Sequence, residues 1–100
     1  MDDIIETMDE LIRLLKDVDS GSKTIDQEDI SSDKRGNIYI DDSEISYLAN
    51  TLLITNTGRC NWDNIALVRK EGFDVFAGDQ DSFGWLVGCI RTNKGIITYG

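Results

Sequence analysis

The chain has 100 residues, contains no histidine, and carries 19 acidic against 10 basic side chains, which gives a formal net charge of −9 at pH 7. This length allows one domain with one modest hydrophobic core. The negative charge disfavours direct binding to nucleic-acid phosphates or to an anionic membrane, and the absence of histidine excludes Ser–His–Asp and Cys–His catalysis and histidine-containing zinc sites.

Residues 2–18 are predicted to form an amphipathic helix. Their apolar side chains recur every three or four residues, which is the period of one helix face: Ile4, Met8, Leu11, Leu15 and Val18. Carboxylates occupy the first turn, where they suit the helix dipole. The stripe is expected to pack on the rest of the chain, and a homodimer through helix 2–18 is the alternative.

Residues 19–36 are predicted to be an acidic linker, because only Ile25 and Ile30 are apolar in this segment and its composition is that of a solvated chain. The sequence DQEDI within it is compatible with a short helical turn. A structureless loop of this length is uncommon inside a compact domain, so the segment is expected to be either mobile or functional.

A strand is predicted for NIYID, residues 37–41, where Ile38 and Ile40 alternate with polar positions. The next stretch, DDSEISYLANTL, fits a short helix with Asp41 and Glu44 as its capping box. A hairpin that returns ISYL onto NIYI is the alternative. The helix is favoured.

The segment TLLIT, residues 51–55, is a compact apolar run typical of a buried strand. Asn61 is suited to cap a helix that ends before Gly72, and FDVFA, residues 73–77, follows as a strand. Residues 52–77 are therefore predicted to form a β–α–β unit with parallel strands.

The C-terminal part is predicted to be a hairpin of GWLVGCIRT and IITY, joined by the loop NKG. The first of these strands is apolar on both faces, which indicates a central position. The fold class predicted for the single domain 1–100 is α+β, with a sheet-containing core in 37–100. It comprises an amphipathic N-terminal helix plus a mixed four- to five-stranded sheet containing one β–α–β unit and a C-terminal hairpin.

The loops after strands 52–55 and 73–77 are expected to lie side by side at the sheet edge where α/β proteins bind ligands. Arg59 and the free amides of a helix N-terminus offer a grip for an anionic group, although ordinary turns explain these loops more simply. The residues that this hypothesis selects are Asn56, Thr57, Gly58, Arg59, Cys60, Asn61, Asp79, Gln80, Asp81, Ser82 and Trp85.

Neither a catalytic residue, a metal site nor a cofactor is expected. Cys60 lies beside Arg59 near a helix N-terminus, a setting that lowers a thiol pKa, but no base is near it in sequence. Asp79 and Asp81 have the spacing that opens a calcium loop, yet the twelfth position is Ile90 instead of glutamate. A tight acidic turn between strands explains them better.

The negative charge is confined to the first half of the chain. Residues 1–46 hold 14 acidic and 5 basic side chains, whereas residues 47–100 hold 5 of each. This asymmetry predicts a non-enzymatic binding protein that inhibits or neutralises a basic, nucleic-acid-handling protein, as immunity proteins, antitoxins and anti-defence inhibitors do. The expected partner-binding residues are Asp2, Asp3, Glu6, Asp9, Glu10, Asp17, Asp26, Glu28 and Asp29.

The alternative function is binding or sequestration of a small molecule, such as a nucleotide or another phosphate-bearing ligand, by the two loops after strands 52–55 and 73–77. A cytoplasmic location is expected for either function. The start MDDIIETMDE is acidic where a secretion signal would be basic, and two distant cysteines do not form a disulfide framework.

Overall fold

The computed structural model describes residues 2–100, with side chains from Thr7 onward. Within these residues the chain forms three α-helices, a short 3-10 turn at Gln27–Asp29 and five strands. The helices are α1 (Asp2–Ser20), α2 (Ser43–Leu53) and α3 (Trp62–Lys70), and the strands are β1 (Ile30–Ser32), β2 (Ile38–Ile40), β3 (Asp74–Gln80), β4 (Leu86–Arg91) and β5 (Ile96–Tyr99).

The strands form one mixed sheet in the order β1-β2-β5-β4-β3. Only the β2–β5 pair is parallel, and the other three pairs are antiparallel. The α+β class, the mixed sheet and the C-terminal β4–β5 hairpin are therefore confirmed. As predicted, β4 is an inner strand, because it pairs with β3 on one side and with β5 on the other.

The predicted N-terminal helix is confirmed and extends to Ser20, just before Gly21, whose φ of 84° ends it in the usual way. Its apolar stripe is buried in the core of the same chain at Met8, Leu11, Leu14, Leu15 and Val18. This part of the stripe is consequently not free to pair with a second copy. The side chains of residues 2–6 lie outside the described part.

The predicted strand at residues 51–55 is wrong, and with it the β–α–β unit. Helix α2 continues through this segment to Leu53, and Ile54 makes only an isolated antiparallel bridge to Cys60. Leu52 and Leu53 are both buried, because they lie on the same face of the helix as the buried Ile45, Leu48 and Ala49. The favoured helix at the preceding residues is confirmed, but its N-cap is Asp42 instead of Asp41: the Asp42 Oδ1 accepts from the Ile45 amide at 3.0 Å.

The predicted linker 19–36 is exposed over its second half but contains regular structure. It forms the 3-10 turn and then β1, which pairs antiparallel with β2, so that Ile30 faces Ile40 across the pair. The backbone amide of Asp41 also donates to the carbonyl of Asp29 at 2.7 Å. These bonds fix the acidic residues of the linker beside the start of α2.

The helices cover one face of the sheet. Val75, Ile90 and Ile97 lie opposite one another on adjacent strands and are buried against side chains of α1, α2 and α3. The predicted helix 61–71 is confirmed as α3, with Asn61 as its N-cap and Gly72 just after its end. The molecule thus has two layers, which agrees with its extents of 36 × 33 × 21 Å.

Candidate functional surfaces

The two predicted ligand loops do line one groove, although no β–α–β unit brings them together. Asn56, Thr57 and Gly58 lie on one side of it, and Asp81 and Trp85 lie on the other. The groove has a volume of about 850 Å³, within the usual range for small-molecule sites. The remaining predicted residues are absent from its lining: Arg59, Cys60, Asn61, Asp79, Gln80 and Ser82.

The groove lacks the expected grip for an anion. The amide of Gly58 donates to the carbonyl of Thr55 at 2.9 Å, and the amide of Arg59 donates to the Thr55 Oγ1 at 3.1 Å. At the start of α3, the Asn64 amide donates to the Asn61 side chain. These donors are satisfied internally, and the charged side chain in the lining is Asp81, which repels phosphate.

Asp81 has a structural role in the hairpin between β3 and β4. Its Oδ1 accepts from the amides of Phe83 at 2.8 Å and of Trp85 at 2.9 Å, the usual behaviour of aspartate in a turn. Asp79 lies on β3 opposite Val87. The prediction of an acidic turn is confirmed for Asp81 but is wrong for Asp79, which lies within β3. No group of side chains suited to holding a metal ion is found among the described residues.

The two cysteines are free and half-buried. Cys60 packs against the edge of the core. Cys89 points to the sheet face away from the helices, because it lies opposite Phe76 and Thr98, one residue out of phase with the buried Ile90. Burial raises the pKa of the Cys89 thiol, and the nearby Arg91 acts in the opposite direction. Cys89 is therefore a protonated thiol at neutral pH.

The carboxylates predicted to bind the partner form no ion pairs with cations of the chain, as far as their side chains are described. Those with described side chains are Asp9, Glu10, Asp17, Asp26, Glu28 and Asp29. The described side chains form two ion pairs, Lys16–Glu71 at 3.2 Å and Lys23–Asp42 at 3.5 Å, and neither includes any of these six. Asp2, Asp3 and Glu6 lie outside the described side chains.

Along α1 the charges are mixed. Asp9, Arg13 and Lys16 are all exposed on this helix, so the described part of α1 does not present a uniformly negative face. The predicted acidic surface is therefore weaker on the helix than the sequence suggested, and Glu10 and Asp17 are only half-exposed.

A denser acidic surface occurs where the 3-10 turn meets the start of α2. A shallow groove of about 320 Å³ there is lined by Lys23, Ser43 and four acidic residues, which we call the acidic corner: Asp29, Asp41, Asp42 and Glu44. Of these four, only Asp29 is among the residues predicted to bind the partner. The sequence signal for this surface is the run DDSE, residues 41–44. Acidic residues at this position are also expected at any helix N-terminus, so the run did not by itself predict a binding surface.

The hydroxyl of Tyr99 is the one buried side-chain polar atom without a hydrogen-bond partner in the described part of the chain. Burial raises the pKa of Tyr99 to about 12. An orphaned hydroxyl costs free energy, and no chemistry follows from this one, because its environment is the core.

We expect Tyr99→Phe to raise the free energy of unfolding by about 1 kcal/mol at pH 7, because it removes an unsatisfied buried group. Since the pKa is higher in the folded than in the unfolded state, the unfolded tyrosine loses its proton first, and wild-type stability falls as the pH rises from 10 to about 12. This fall should be shallower in the variant. Urea denaturation at pH 7 and across the alkaline range measures both effects.

The matched control is Tyr47→Phe, which removes a hydroxyl from an exposed tyrosine and should change stability by less than about 0.5 kcal/mol. A Tyr99→Phe variant less stable than wild type at pH 7 would show that the buried hydroxyl has a partner.

Comparison with known proteins yields no relative: no family model, curated protein or solved structure matches the chain. No helix within residues 2–100 is both long enough and apolar enough to cross a membrane. The fold and surfaces define a two-layer α+β protein with an acidic corner and an open sheet face.

Proposed function

We propose that this chain is a small acidic binding protein, not an enzyme, that inhibits or neutralises a basic, nucleic-acid-handling protein. The proposal depends on one observation: the predicted partner-binding carboxylates whose side chains are described form no ion pair within the chain. Immunity proteins, antitoxins and anti-defence inhibitors act in this way, by occupying their targets.

Unpaired carboxylates on a surface attract a basic partner over a distance and speed its association. We place the contact at the acidic corner together with the adjoining Asp26 and Glu28, which are exposed. There the carboxylates would take the place of phosphates in a groove that normally holds nucleic acid. Asp42 contributes less, because it caps α2 and pairs with Lys23.

Binding of a phosphate-bearing small molecule is the weaker alternative. The groove between the two loops has adequate volume, but its amides are engaged within the chain and its charged residue, Asp81, is negative. We also place the protein in the cytoplasm, because both of its thiols are free, as is usual in a reducing compartment.

Neutralising the acidic corner should weaken the complex. The variant Asp29→Asn/Asp41→Asn/Glu44→Gln removes three negative charges and leaves the capping Asp42 in place. A partner isolated from the host on the immobilised full chain is identified by mass spectrometry, and its Kd is measured by calorimetry. We expect the triple variant to raise the Kd about tenfold or more, which corresponds to about 1.4 kcal/mol.

The matched control is Asp63→Asn/Glu71→Gln/Asp74→Asn, which makes the same chemical changes and removes the same charge elsewhere on the molecule. It should raise the Kd much less. Equal losses in both variants would exclude a localised contact. A Kd that does not change between about 50 and about 500 mM salt would exclude an electrostatic interface altogether.

A further inference from the structure

The sheet face turned away from the helices carries five apolar side chains, of which Ile96 is already buried, together with four polar or charged ones. One row across β3, β4 and β5 consists of Phe76, Cys89 and Thr98, and Val87 lies on the same face opposite Asp79. The next row comprises Tyr39, Asp74, Arg91 and Ile96. We call these nine residues the outer face.

This composition is unusual for a sheet face in contact with water, which normally carries polar side chains in alternation with the buried ones. Phe76 is 50% exposed on this face. The described helices pack on the opposite face. An apolar patch of this kind marks an interaction surface.

We propose that a second copy of this chain covers the outer face, so that the protein forms a twofold-symmetric dimer by packing sheet against sheet. Aligned sheets of this type pack about 10 Å apart. In such an interface both copies use the same patch, and residue i of one copy meets residue j of the other and the reverse, so the patch must be complementary to itself.

The charges of the outer face meet this requirement. Arg91 lies opposite Asp74, and its guanidinium is 5.1 Å from the centre of the Phe76 ring. Asp79 is at the other end of the face, so a twofold axis allows Arg91 of each copy to approach a carboxylate of the other. Patches with both signs suit self-association, whereas a strongly basic partner is drawn to the acidic corner.

The distribution of charge along the sequence points the same way. Residues 74–99, which contain all of the outer face except Tyr39, hold three acidic and two basic side chains, whereas the net charge of −9 resides in residues 1–46. Two copies can therefore meet through their nearly neutral parts without strong repulsion. Their acidic corners would remain exposed, one on each subunit.

The size of the face indicates a weak dimer. The four strands that carry its residues (β2, β5, β4 and β3) are spaced about 4.8 Å apart, and about six residues of about 3.3 Å in the longer ones give a face of roughly 20 by 20 Å. Two such faces bury about 800 Å² in total, less than the roughly 1,200–2,000 Å² of a stable interface. We therefore expect a Kd in the upper micromolar range.

Sedimentation equilibrium of the full chain from about 1 to about 500 µM tests the proposal. We expect a monomer–dimer equilibrium whose Kd rises at least tenfold in Phe76→Glu and in Val87→Glu, because each places a charge in the apolar centre. The control Leu67→Glu alters a residue that is also partly exposed, but on α3 in the other layer, and should leave the Kd unchanged. Circular dichroism verifies that each variant is folded.

Thr98→Glu gives a second route if either apolar variant fails to fold, since Thr98 is exposed on the same face. A monomer throughout the concentration range overturns the proposal, as does a dimer that the outer-face variants do not weaken. The acidic-corner variant should dimerise like wild type, so failure of this proposal is distinguishable from failure of the proposed function.

Discussion

Replacing Gly88 with alanine is expected to lower the free energy of unfolding by about 2–3 kcal/mol, a typical cost of overpacking. Gly88 lies on β4 opposite Tyr99 of β5, and the tyrosine ring lies across it. A Cβ at this position would be 2.5 Å from the Tyr99 Cζ and Oη and 2.6 Å from the Phe76 carbonyl oxygen. The first neighbour is a rigid ring and the second is backbone, so neither can move away from the added Cβ without a cost in free energy.

Gly84→Ala is the matched control for this prediction. Gly84 has a φ of 83° and nothing within 4 Å of an added Cβ, so alanine there costs only the backbone strain, about 1 kcal/mol. Urea denaturation of both variants measures the difference. A Gly88→Ala variant as stable as Gly84→Ala, or more so, would mean that β4 and β5 are not paired in this register.

No sequence pattern indicates this role of Gly88. The segment LVGCI is merely apolar, and the constraint arises from Tyr99, eleven residues away, and from Phe76 on the other neighbouring strand. Helices α1 and α3 and the C-terminal hairpin, by contrast, were predictable, since their signals are local: apolar period, Asn61 as a cap, Gly72 after the last turn.

The wrong strand at residues 51–55 has a tertiary cause. A short apolar run such as LLI fits a strand or a buried helix equally well, and here the contacts of α2 decide. The Ser46 Oγ donates to the Thr98 carbonyl, and the Asn50 Oδ1 accepts from the Gly100 amide. Strand β5 pairs with β2 through one residue pair only, Tyr39 and Ile96. The side chains of Ser46 and Asn50 therefore provide hydrogen-bond partners for backbone groups beyond that pair.

The candidate surfaces were predictable only in part, for the same reason. The composition shows that the net charge is negative and that it lies in the first half of the chain, but it does not show where on the folded surface the carboxylates gather. The acidic corner exists because β1 turns back onto β2 and brings Asp29 beside Asp41. Likewise, the outer face depends on the helices covering one side of the sheet alone, which the apolar character of β4 on both faces did not predict.

The burial of Leu53 in α2 carries the second large prediction. Leu53 is completely buried in the core, in contact range of residues from the other helices and the sheet. Leu53→Ala should therefore lower the free energy of unfolding by about 3–4 kcal/mol, through lost apolar burial and the cavity that remains. Leu67→Ala makes the same change at a residue that is 46% exposed and should cost about 1 kcal/mol or less.

A substitution at Thr51 distinguishes helix from strand at this segment by the sign of its effect. Thr51 is exposed, and its Oγ1 donates to the Tyr47 carbonyl four residues earlier, a bond that slightly destabilises helices. In α2, Thr51→Ala should raise stability by a few tenths of a kcal/mol, because alanine has the higher helix propensity; in a strand the same change should lower it. Urea denaturation resolves the two, and a destabilised Thr51→Ala would favour the strand at residues 51–55 over the helix.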